Sequence, residues 1–254
     1  HFAAKALVGP DRDEPGEYYR VNVGGTLSLL EAMTRARVDR LVFSSTCAVY
    51  APADGGALTE ETPRDPGSVY GETKMAMENL VRACGERHGL AWTAFRYFNA
   101  AGAAADGSIG EWHDPETHLI PRLVQATLSP DPARRRVTVY GTDYPTPDGT
   151  AIRDYVHVDD IASAHVQALE RSSTGAFNLG TGTGASVNEV IERVERVTGV
   201  ALARDLAPRR AGDAARLVAD NARAARELGW RPERGLDAIV SSVLGWEKRR
   251  AAGR

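Results

Sequence analysis

The feature that most constrains the fold is an alternation of helical and strand patterns in the first hundred residues. Glu17 to Arg35 repeats apolar residues with a helical period, and Arg40 to Thr46 follows as a short apolar strand. The same pair recurs as a helical pattern over Val69 to His88 and an apolar strand over Leu90 to Phe98. Strands that alternate with helices at this spacing predict a parallel α/β sheet with right-handed crossovers and helices on both faces.

After Asn99 the alternation becomes less regular, which predicts a second, substrate-specific region. We therefore expect one domain over residues 1–99 and a smaller α/β domain over residues 100–254, with parts near 154–180 returning to the first. The patterns in this second part predict helices over His118 to Leu128, Val158 to Arg171 and Val187 to Thr198, a strand over Ala176 to Leu179, and terminal helices near Ala222 and Leu236.

Charge and cysteine content exclude several classes of protein. The net charge is −3 over 254 residues, with both signs interspersed, so we expect neither a nucleic-acid surface nor a membrane-binding patch. No apolar run reaches the roughly 18 residues that a membrane span needs. Cys47 and Cys84 form neither a disulfide framework nor a metal-ligand spacing. We therefore predict a cytoplasmic protein with no metal site.

Tyr70 and Lys74 lie four residues apart in the predicted helix of the stretch VYGETK. This spacing places both side chains on one helix face, close enough for an ammonium group to act on a phenol. A phenol has an ordinary pKa of about 10 and is a poor base near neutral pH unless positive charge stabilises the phenolate. Lys74 could supply that charge, and an oxidised nicotinamide could add more. The alternative is an amphipathic helix with incidental polar residues.

Thr46 ends the first predicted strand, after Ser44 and Ser45. In open α/β sheets ligands bind beyond the carboxyl ends of the strands, so Thr46 is expected to meet the helix that bears Tyr70 and Lys74. A strand end rich in Ser and Thr can also serve only as a turn cap. Together with the Tyr and the Lys, the functional interpretation is favoured.

Thr46, Tyr70 and Lys74, in this order and spacing, resemble the extended short-chain dehydrogenase/reductase superfamily. The resemblance is to its nucleotide-sugar 4-epimerases and runs from His1 to about Trp246. It implies a doubly wound parallel-sheet NAD-binding domain with a smaller substrate-binding domain. The motifs that carry it are RYFNAAGA from Arg96, THLIP from Thr117, YGTDYPTPDGTAIRDYVHV from Tyr140, FNLGTG from Phe177 and APRRAGD from Ala207.

The resemblance also implies a mechanism, the interconversion of UDP-glucose and UDP-galactose. Tyr70 would take the proton from the sugar 4-OH and return it, Thr46 would hydrogen-bond the same oxygen, and Lys74 would bind the nicotinamide ribose and depress the pKa of Tyr70. Hydride would pass from sugar C4 to NAD and back to the other face of a 4-keto sugar. The remaining cofactor-binding positions would be Phe2, Ala3, Ala4, Asn22 and Phe98.

A further set of residues falls on positions where this family contacts its nucleotide sugar. The two arginines suit a pyrophosphate, because a guanidinium fork matches its oxygens, and Asp213 suits a ribose hydroxyl. The alternatives are surface ion pairing for the arginines, a helix start for His118 and a simple edge strand over Val137 to Tyr140. The predicted substrate-binding set is Thr46, Tyr70, Asn99, His118, Leu119, Thr138, Val139, Tyr140, Arg153, Arg210, Asp213 and Leu217.

Two local features bear on the reaction and the substrate. Cys47 and Ala48 follow Thr46, where relatives that eliminate water commonly carry an acid, so oxidation and re-reduction are favoured over dehydration. By the resemblance, the side chain at the position of Leu217 limits the space for a substituent at sugar C2. Leucine is mid-sized, so N-acetylated substrates are not excluded. The alternatives are therefore an epimerase for UDP-N-acetylhexosamine or UDP-pentose, or an inactive fragment.

The glycine-rich dinucleotide loop of the family, Gly-x-x-Gly-x-x-Gly after a strand, does not occur in these 254 residues. By the resemblance, about 75 to 80 residues and roughly four strands of the doubly wound sheet would precede His1. We expect the 254 residues alone neither to fold stably nor to retain NAD, because an unpaired sheet edge would remain. A complete protein is expected to form a homodimer through the helices over Glu17 to Arg35 and Val69 to His88.

Overall fold

A computed structural model describes residues 1–6, 14–51, 55–210 and 212–253. The α-helices are α1 (Pro15–Tyr18), α2 (Gly25–Ala36), α3 (Val69–His88), α4 (Leu119–Leu128), α5 (Val158–Arg171), α6 (Val187–Thr198) and α7 (Leu236–Ala252). The strands are β1 (Arg40–Thr46), β2 (Ala91–Tyr97), β3 (Asn99–Ala101), β4 (Arg136–Tyr140), β5 (Ile152–Arg153), β6 (Tyr155–His157), β7 (Gly175–Leu179), β8 (Ala185–Ser186), β9 (Ala203–Ala207) and β10 (Arg216–Leu217). Shorter helical turns are π-helical over Tyr19–Gly24 and Ala224–Leu228, and 3₁₀-helical over Cys47–Val49 and Pro132–Arg134.

The central sheet has the strand order β1-β2-β7, and both pairs are parallel. One face packs against α3, where Met77 contacts the cluster of Phe43 and Ala94. The opposite face packs against α5, where Phe95 and Phe177 join a buried cluster with α5 side chains. The prediction of a parallel α/β sheet with helices on both faces is therefore confirmed.

The helices and strands of the first hundred residues follow the sequence pattern closely. β1 and α3 have the predicted bounds, and β2 is one residue shorter at each end. The predicted helix over Glu17 to Arg35 is a continuous helical segment that passes through a π-helical turn at Tyr19–Gly24. Ser68 caps α3 by accepting a hydrogen bond from the Gly71 N–H, and Gly89 ends it in the left-handed conformation that glycine adopts readily.

A second apolar core lies in the later part of the chain, where α4, α6 and α7 pack together. β4 and β9 form a parallel pair, and Val139 of β4 is buried in this core. Ser186 and Glu189 form a reciprocal capping box at the start of α6. The predicted domain boundary near residue 99 stays a prediction.

Short strands connect the central sheet to this second core. β3 pairs with β6, and β5 pairs with both β10 and β8. Buried Asp154 links these strands, because its carboxylate accepts hydrogen bonds from the backbone N–H groups of Thr181, Gly182 and Ala219. Its backbone carbonyl accepts one from the Asn99 N–H at 2.8 Å. Residues from several loops are therefore fixed at one end of the central sheet.

Among the described helices, none has the length and apolar character required to cross a membrane.

Candidate active site

Thr46, Tyr70 and Lys74 meet at the carboxyl end of β1, as predicted from the sequence. The Thr46 side chain hydrogen-bonds Tyr70, and its Oγ1 also accepts a hydrogen bond from the Ala48 N–H at 3.1 Å. Lys74 Nζ donates to the Ser44 carbonyl at 2.8 Å and lies 5.8 Å from the centre of the Tyr70 ring. The two residues of α3 are one turn apart, so the helix itself sets their spacing.

Burial dominates the electrostatics of this group. It raises the pKa of Tyr70 to about 12, although the hydrogen bond with Thr46 opposes that rise. Burial also lowers the pKa of Lys74 to about 8, against the charge of Glu78 one turn further along α3. The depressed pKa expected for Tyr70 is therefore not found in these residues by themselves, because desolvation of the phenolate outweighs its stabilisation.

The first residues of the chain lie along the free edge of β1. The His1 amino group donates to the Val42 carbonyl at 2.8 Å, and the Ser44 N–H donates to the His1 carbonyl at 3.1 Å, as in a parallel ladder. Phe2 is exposed and stacks on His165 of α5, with ring centres 5.1 Å apart. Ala3 is exposed and Ala4 is half-buried near Phe43. Phe2, Ala3 and Ala4 thus lie beside the strand that carries Thr46.

Asn22, predicted to contact the cofactor, lies in a buried hydrogen-bond network. It is fully buried, and its side-chain amide bonds the backbone N–H and carbonyl of Lys5 and the hydroxyl of Thr73. These bonds use the amide oxygen and both amide hydrogens. Asn22 therefore fastens the first residues of the chain to α3, and its predicted contact with the cofactor stays a prediction.

Phe98 and Leu217 belong to one apolar cluster beside Thr46. Phe98 is buried against Val49 and Ala219, and Leu217 and Cys47 pack on the same cluster from the side. Burial raises the pKa of the Cys47 thiol to about 12, so this cysteine stays protonated and apolar near neutral pH. Packing thus brings together Phe98, which was predicted to contact the nicotinamide, and Leu217, which was predicted to contact the sugar.

A polar pocket between α4, β4 and β5 contains most of the predicted substrate-binding residues. Arg153 and Asp213 form an ion pair across it, and the Arg210 guanidinium lies 4.2 Å from the centre of the Tyr140 ring. The other predicted residues that line this pocket are Asn99, His118, Leu119 and Thr138.

Four predicted substrate residues do not line this pocket: Thr46 and Tyr70, which lie at the end of β1, and Val139 and Leu217. The side chain of Val139 is only 1% exposed and packs in the second core, because alternate residues of a strand face opposite ways. Thr138 and Tyr140 face the pocket instead, so the alternation of β4 could have revealed this difference. Leu217 lies in the Phe98 cluster, next to Arg153 in the paired strands β10 and β5.

Sequence reasoning missed several residues of the pocket wall, among them Arg122 and Tyr155. Arg122 lies one turn into α4, and helical spacing from His118 could have placed it on the same face. Tyr155 belongs to the three-residue strand β6, and burial raises its pKa to about 12. A strand of three residues carries no periodic signal that would have placed it there.

The donor set at the end of β1 fits the nicotinamide half of a dinucleotide. Lys74 has three N–H donors, and among the described residues one of them bonds the Ser44 carbonyl. The remaining donors suit the paired hydroxyls of a ribose, and the Tyr70 phenol lies on the same helix face. The 254 residues include no glycine-rich loop that would hold the pyrophosphate.

These features define a class of protein, the parallel α/β enzymes that work with a bound dinucleotide. The half-buried Tyr70 and the buried Lys74 lie beside a strand end, next to a pocket that suits a charged substrate. Within this class, the chain belongs to the NAD dependent epimerase/dehydratase family, which its residues 1–180 match.

The chain is similar over its length to several characterised proteins. A UDP-glucose 4-epimerase of Halalkalibacterium halodurans is 45% identical, over 100% of this chain and 76% of that protein. The crystal structure of UDP-glucose 4-epimerase from Brucella ovis in complex with NAD has a TM-score of 0.89 and 44% identity, and covers 96% of this chain and 76% of that one. The enzyme from Bifidobacterium longum in complex with NAD+ and UDP has a TM-score of 0.90 and 36% identity, with 100% and 77% covered.

Proposed function

We propose that this protein is an NAD-dependent UDP-hexose 4-epimerase that interconverts UDP-glucose and UDP-galactose in galactose and nucleotide-sugar metabolism. The observation that carries the proposal is the meeting of Thr46, Tyr70 and Lys74 at the carboxyl end of β1, beside a pocket that holds Arg153 and Asp213. Relatives of known activity, at about 45% identity over the whole chain, support the same reaction.

Tyr70 is the residue that moves the proton. Its phenol hydrogen-bonds Thr46, so both hydroxyls converge on the position of the sugar 4-OH. Lys74 and Tyr70 would hold the nicotinamide end of NAD, which would supply positive charge beside the phenol and the capacity to accept the hydride of sugar C4. Tyr70 takes the proton of the 4-OH as the C4 ketone forms and gives it back when the ketone is reduced on its other face. Atoms and electrons balance over the cycle, because the sugar regains both the proton and the hydride.

Thr46 and Lys74 position and polarise this proton transfer. Thr46 Oγ1 is held by the Ala48 N–H, which directs the hydroxyl toward Tyr70. Lys74 is fixed by the Ser44 carbonyl, and its charge lies on the Tyr70 side of α3. Thr46 is not followed by a carboxylate that could remove a second proton from the sugar, since Cys47 and Ala48 come next.

The pocket beside β4 and β5 binds the nucleotide part of the substrate in this proposal. Arg153 and Arg210 bind the pyrophosphate, and Asp213 accepts a hydrogen bond from the uridine ribose. The aromatic face of Tyr140 is exposed at the pocket wall, where Arg210 stacks on it. Residues 1–99 then carry the chemistry and residues 100–254 mainly the substrate contacts, with parts near 154–180 returning to the first region.

A cytoplasmic homodimer completes the proposal. Tyr19, Val21 and Leu27 are 42%, 40% and 45% exposed on the helical segment from Pro15 to Ala36, which packs beside α3. Apolar side chains on a helix surface are the usual contacts of a helical interface. The free thiols of Cys47 and Cys84 suit a reducing compartment.

The experiment is to supply UDP-glucose and NAD to protein that has been shown to bind NAD, and to follow UDP-galactose by nuclear magnetic resonance. We expect the same equilibrium mixture from either hexose, with no net change in NADH absorbance. A parallel reaction with UDP-N-acetylglucosamine measures how far Leu217 leaves room at sugar C2. Turnover of neither substrate by protein that binds UDP would refute the proposal.

A further inference from the structure

Four potential metal ligands converge in the loop before α4. Glu111, His113, Glu116 and His118 each present one ligand atom, and these four atoms all lie within 4.8 Å of one another. His113 Nδ1 is 2.9 Å from Glu111 Oε1 and 3.7 Å from Glu116 Oε1. His118 Nδ1 also contacts Glu111 Oε1. Cysteine spacing predicted no metal site, whereas these four ligands are imidazoles and carboxylates.

The chemistry of this set suits a zinc-class ion, and two of its separations lie near those of a tetrahedral site. Zinc–nitrogen and zinc–oxygen bonds of about 2.0 to 2.2 Å place tetrahedral ligand atoms about 3.3 Å apart, close to the two separations from His113. Two imidazoles favour a first-row transition ion over calcium or magnesium, which prefer oxygen alone. Two carboxylates balance the charge of a divalent cation. The set therefore suits zinc in donor chemistry and charge.

Both glutamate residues of the set make further hydrogen bonds with the surrounding chain. The Trp246 Nε1–H of α7 donates to the Glu111 carbonyl at 2.9 Å. Gly110 lies so close to Trp246 that a Cβ at this position would be 2.3 Å from the indole Cγ. Glu116 Oε1 accepts the backbone N–H groups of Thr117 at 2.7 Å and His118 at 2.8 Å. Such supporting bonds orient ligands before a cation arrives.

We propose that Glu111, His113, Glu116 and His118 bind one zinc-class divalent cation. Thr117 and His118 also line the nucleotide pocket, so the cation fixes one wall of that pocket by joining the loop to α4. The cation has no part in the reaction at Tyr70. The competing explanation is a cluster of ion pairs between the carboxylates and protonated imidazoles, which needs no metal.

The test is titration of metal-free protein with Co²⁺ as a spectroscopic probe and Zn²⁺ as competitor. We expect the intense visible absorption of tetrahedral Co²⁺, saturation at one ion per chain, and its loss when Zn²⁺ is added. His113→Ala is the informative variant, because His113 is exposed and does not line the pocket. Its affinity for Zn²⁺ should fall at least about tenfold. His88→Ala, at the exposed end of α3, is the matched control and should bind as the unchanged protein does.

A second measurement separates metal binding from folding defects. Zn²⁺ should raise the unfolding temperature of the unchanged protein and of His88→Ala, but not that of His113→Ala, because a ligand stabilises only the form that binds it. Equal Zn²⁺ affinity in His113→Ala and the unchanged protein would overturn the proposal. A weak octahedral Co²⁺ spectrum, or the absence of binding at neutral pH, would overturn it as well.

Discussion

The end of β1 and the pocket beside β4 are adjacent parts of one site, but they are held by different kinds of contact. Thr46 and Lys74 are 9% and 3% exposed, and burial shifts the pKa values of Lys74 and Tyr70 in the directions that disfavour charge. In the pocket, Arg210 and Tyr140 are exposed, and Arg153 is paired with Asp213. Burial therefore disfavours charge in the first region, whereas the second region exposes charged groups that can bind a charged ligand.

This difference predicts two kinds of mutational effect. Changes at the end of β1 should lower kcat and leave the affinity for UDP unchanged, since few side chains there face the UDP part of the substrate. Changes in the pocket should raise KM and leave kcat nearly unchanged. Any substitution that changes kcat and KM to a similar degree would blur the division between the two regions.

The largest effect is expected from Tyr70→Phe. Removing the phenolic hydroxyl removes the proton carrier, and kcat should fall by about 10²- to 10⁴-fold. The Kd for UDP, measured calorimetrically, should stay within about twofold, because the pocket is untouched. Tyr19→Phe, an exposed tyrosine that bonds Glu72, is the matched control and should keep full turnover. Substantial turnover by Tyr70→Phe would contradict the role given to this residue.

The second effect is the dependence of turnover on pH. The pKa of Lys74 is lowered to about 8, so the ammonium group is charged below that pH and loses its proton above it. Turnover should therefore fall on the alkaline side, by about tenfold per pH unit once the proton is lost. The measurement is kcat from about pH 7 to about pH 10. A profile that stays flat over this range would mean that the charge of Lys74 is not required.

The third effect lies in the pocket. Arg153→Met removes the guanidinium that pairs with Asp213 and that the proposal assigns to pyrophosphate. KM for the nucleotide sugar should rise by about 10- to 100-fold, with kcat changed by less than about threefold. Arg136→Met is the control, because Arg136 pairs with Asp205 at an exposed position outside the pocket. A loss of kcat with unchanged KM would place Arg153 in the catalytic region instead.

The smallest effect is expected from Thr46→Val. This change keeps the shape of the side chain and removes one hydrogen bond to the reacting oxygen, which is worth about five- to fifteenfold in kcat. Thr46→Ser restores a hydroxyl and should recover most of the rate. Equal losses in the Val and Ser variants would show that packing at this position, and not the hydroxyl, matters.

The sequence predicted the catalytic region more completely than the pocket, for physical reasons. β1 and α3 are long and strongly patterned, so their bounds follow from periodicity and caps. β5, β8 and β10 have two residues each, which is too short for any periodicity. Their positions depend on long-range pairing, and the ion pair of Arg153 with Asp213 depends on them.

The burial of individual side chains also limited what could be predicted from the sequence. Asn22 and Val139 fall on plausible positions in the sequence, but the first is bonded to Lys5 and Thr73 and the second packs in a core. Only tertiary packing decides such cases. The expectations that the 254 residues alone neither fold stably nor retain NAD stay predictions. A cooperative thermal transition with bound NAD would overturn them.

The most direct test of the account is the fate of the hydrogen at sugar C4. UDP-glucose labelled with deuterium at C4 should give UDP-galactose that keeps the deuterium at the same carbon, with no exchange with water, because the same hydride leaves and returns. Tyr70→Phe should not form labelled UDP-galactose at a rate comparable to that of the unchanged protein. Loss of the deuterium to solvent, or galactose formed without C4–H cleavage, would contradict oxidation and re-reduction at the Tyr70 centre.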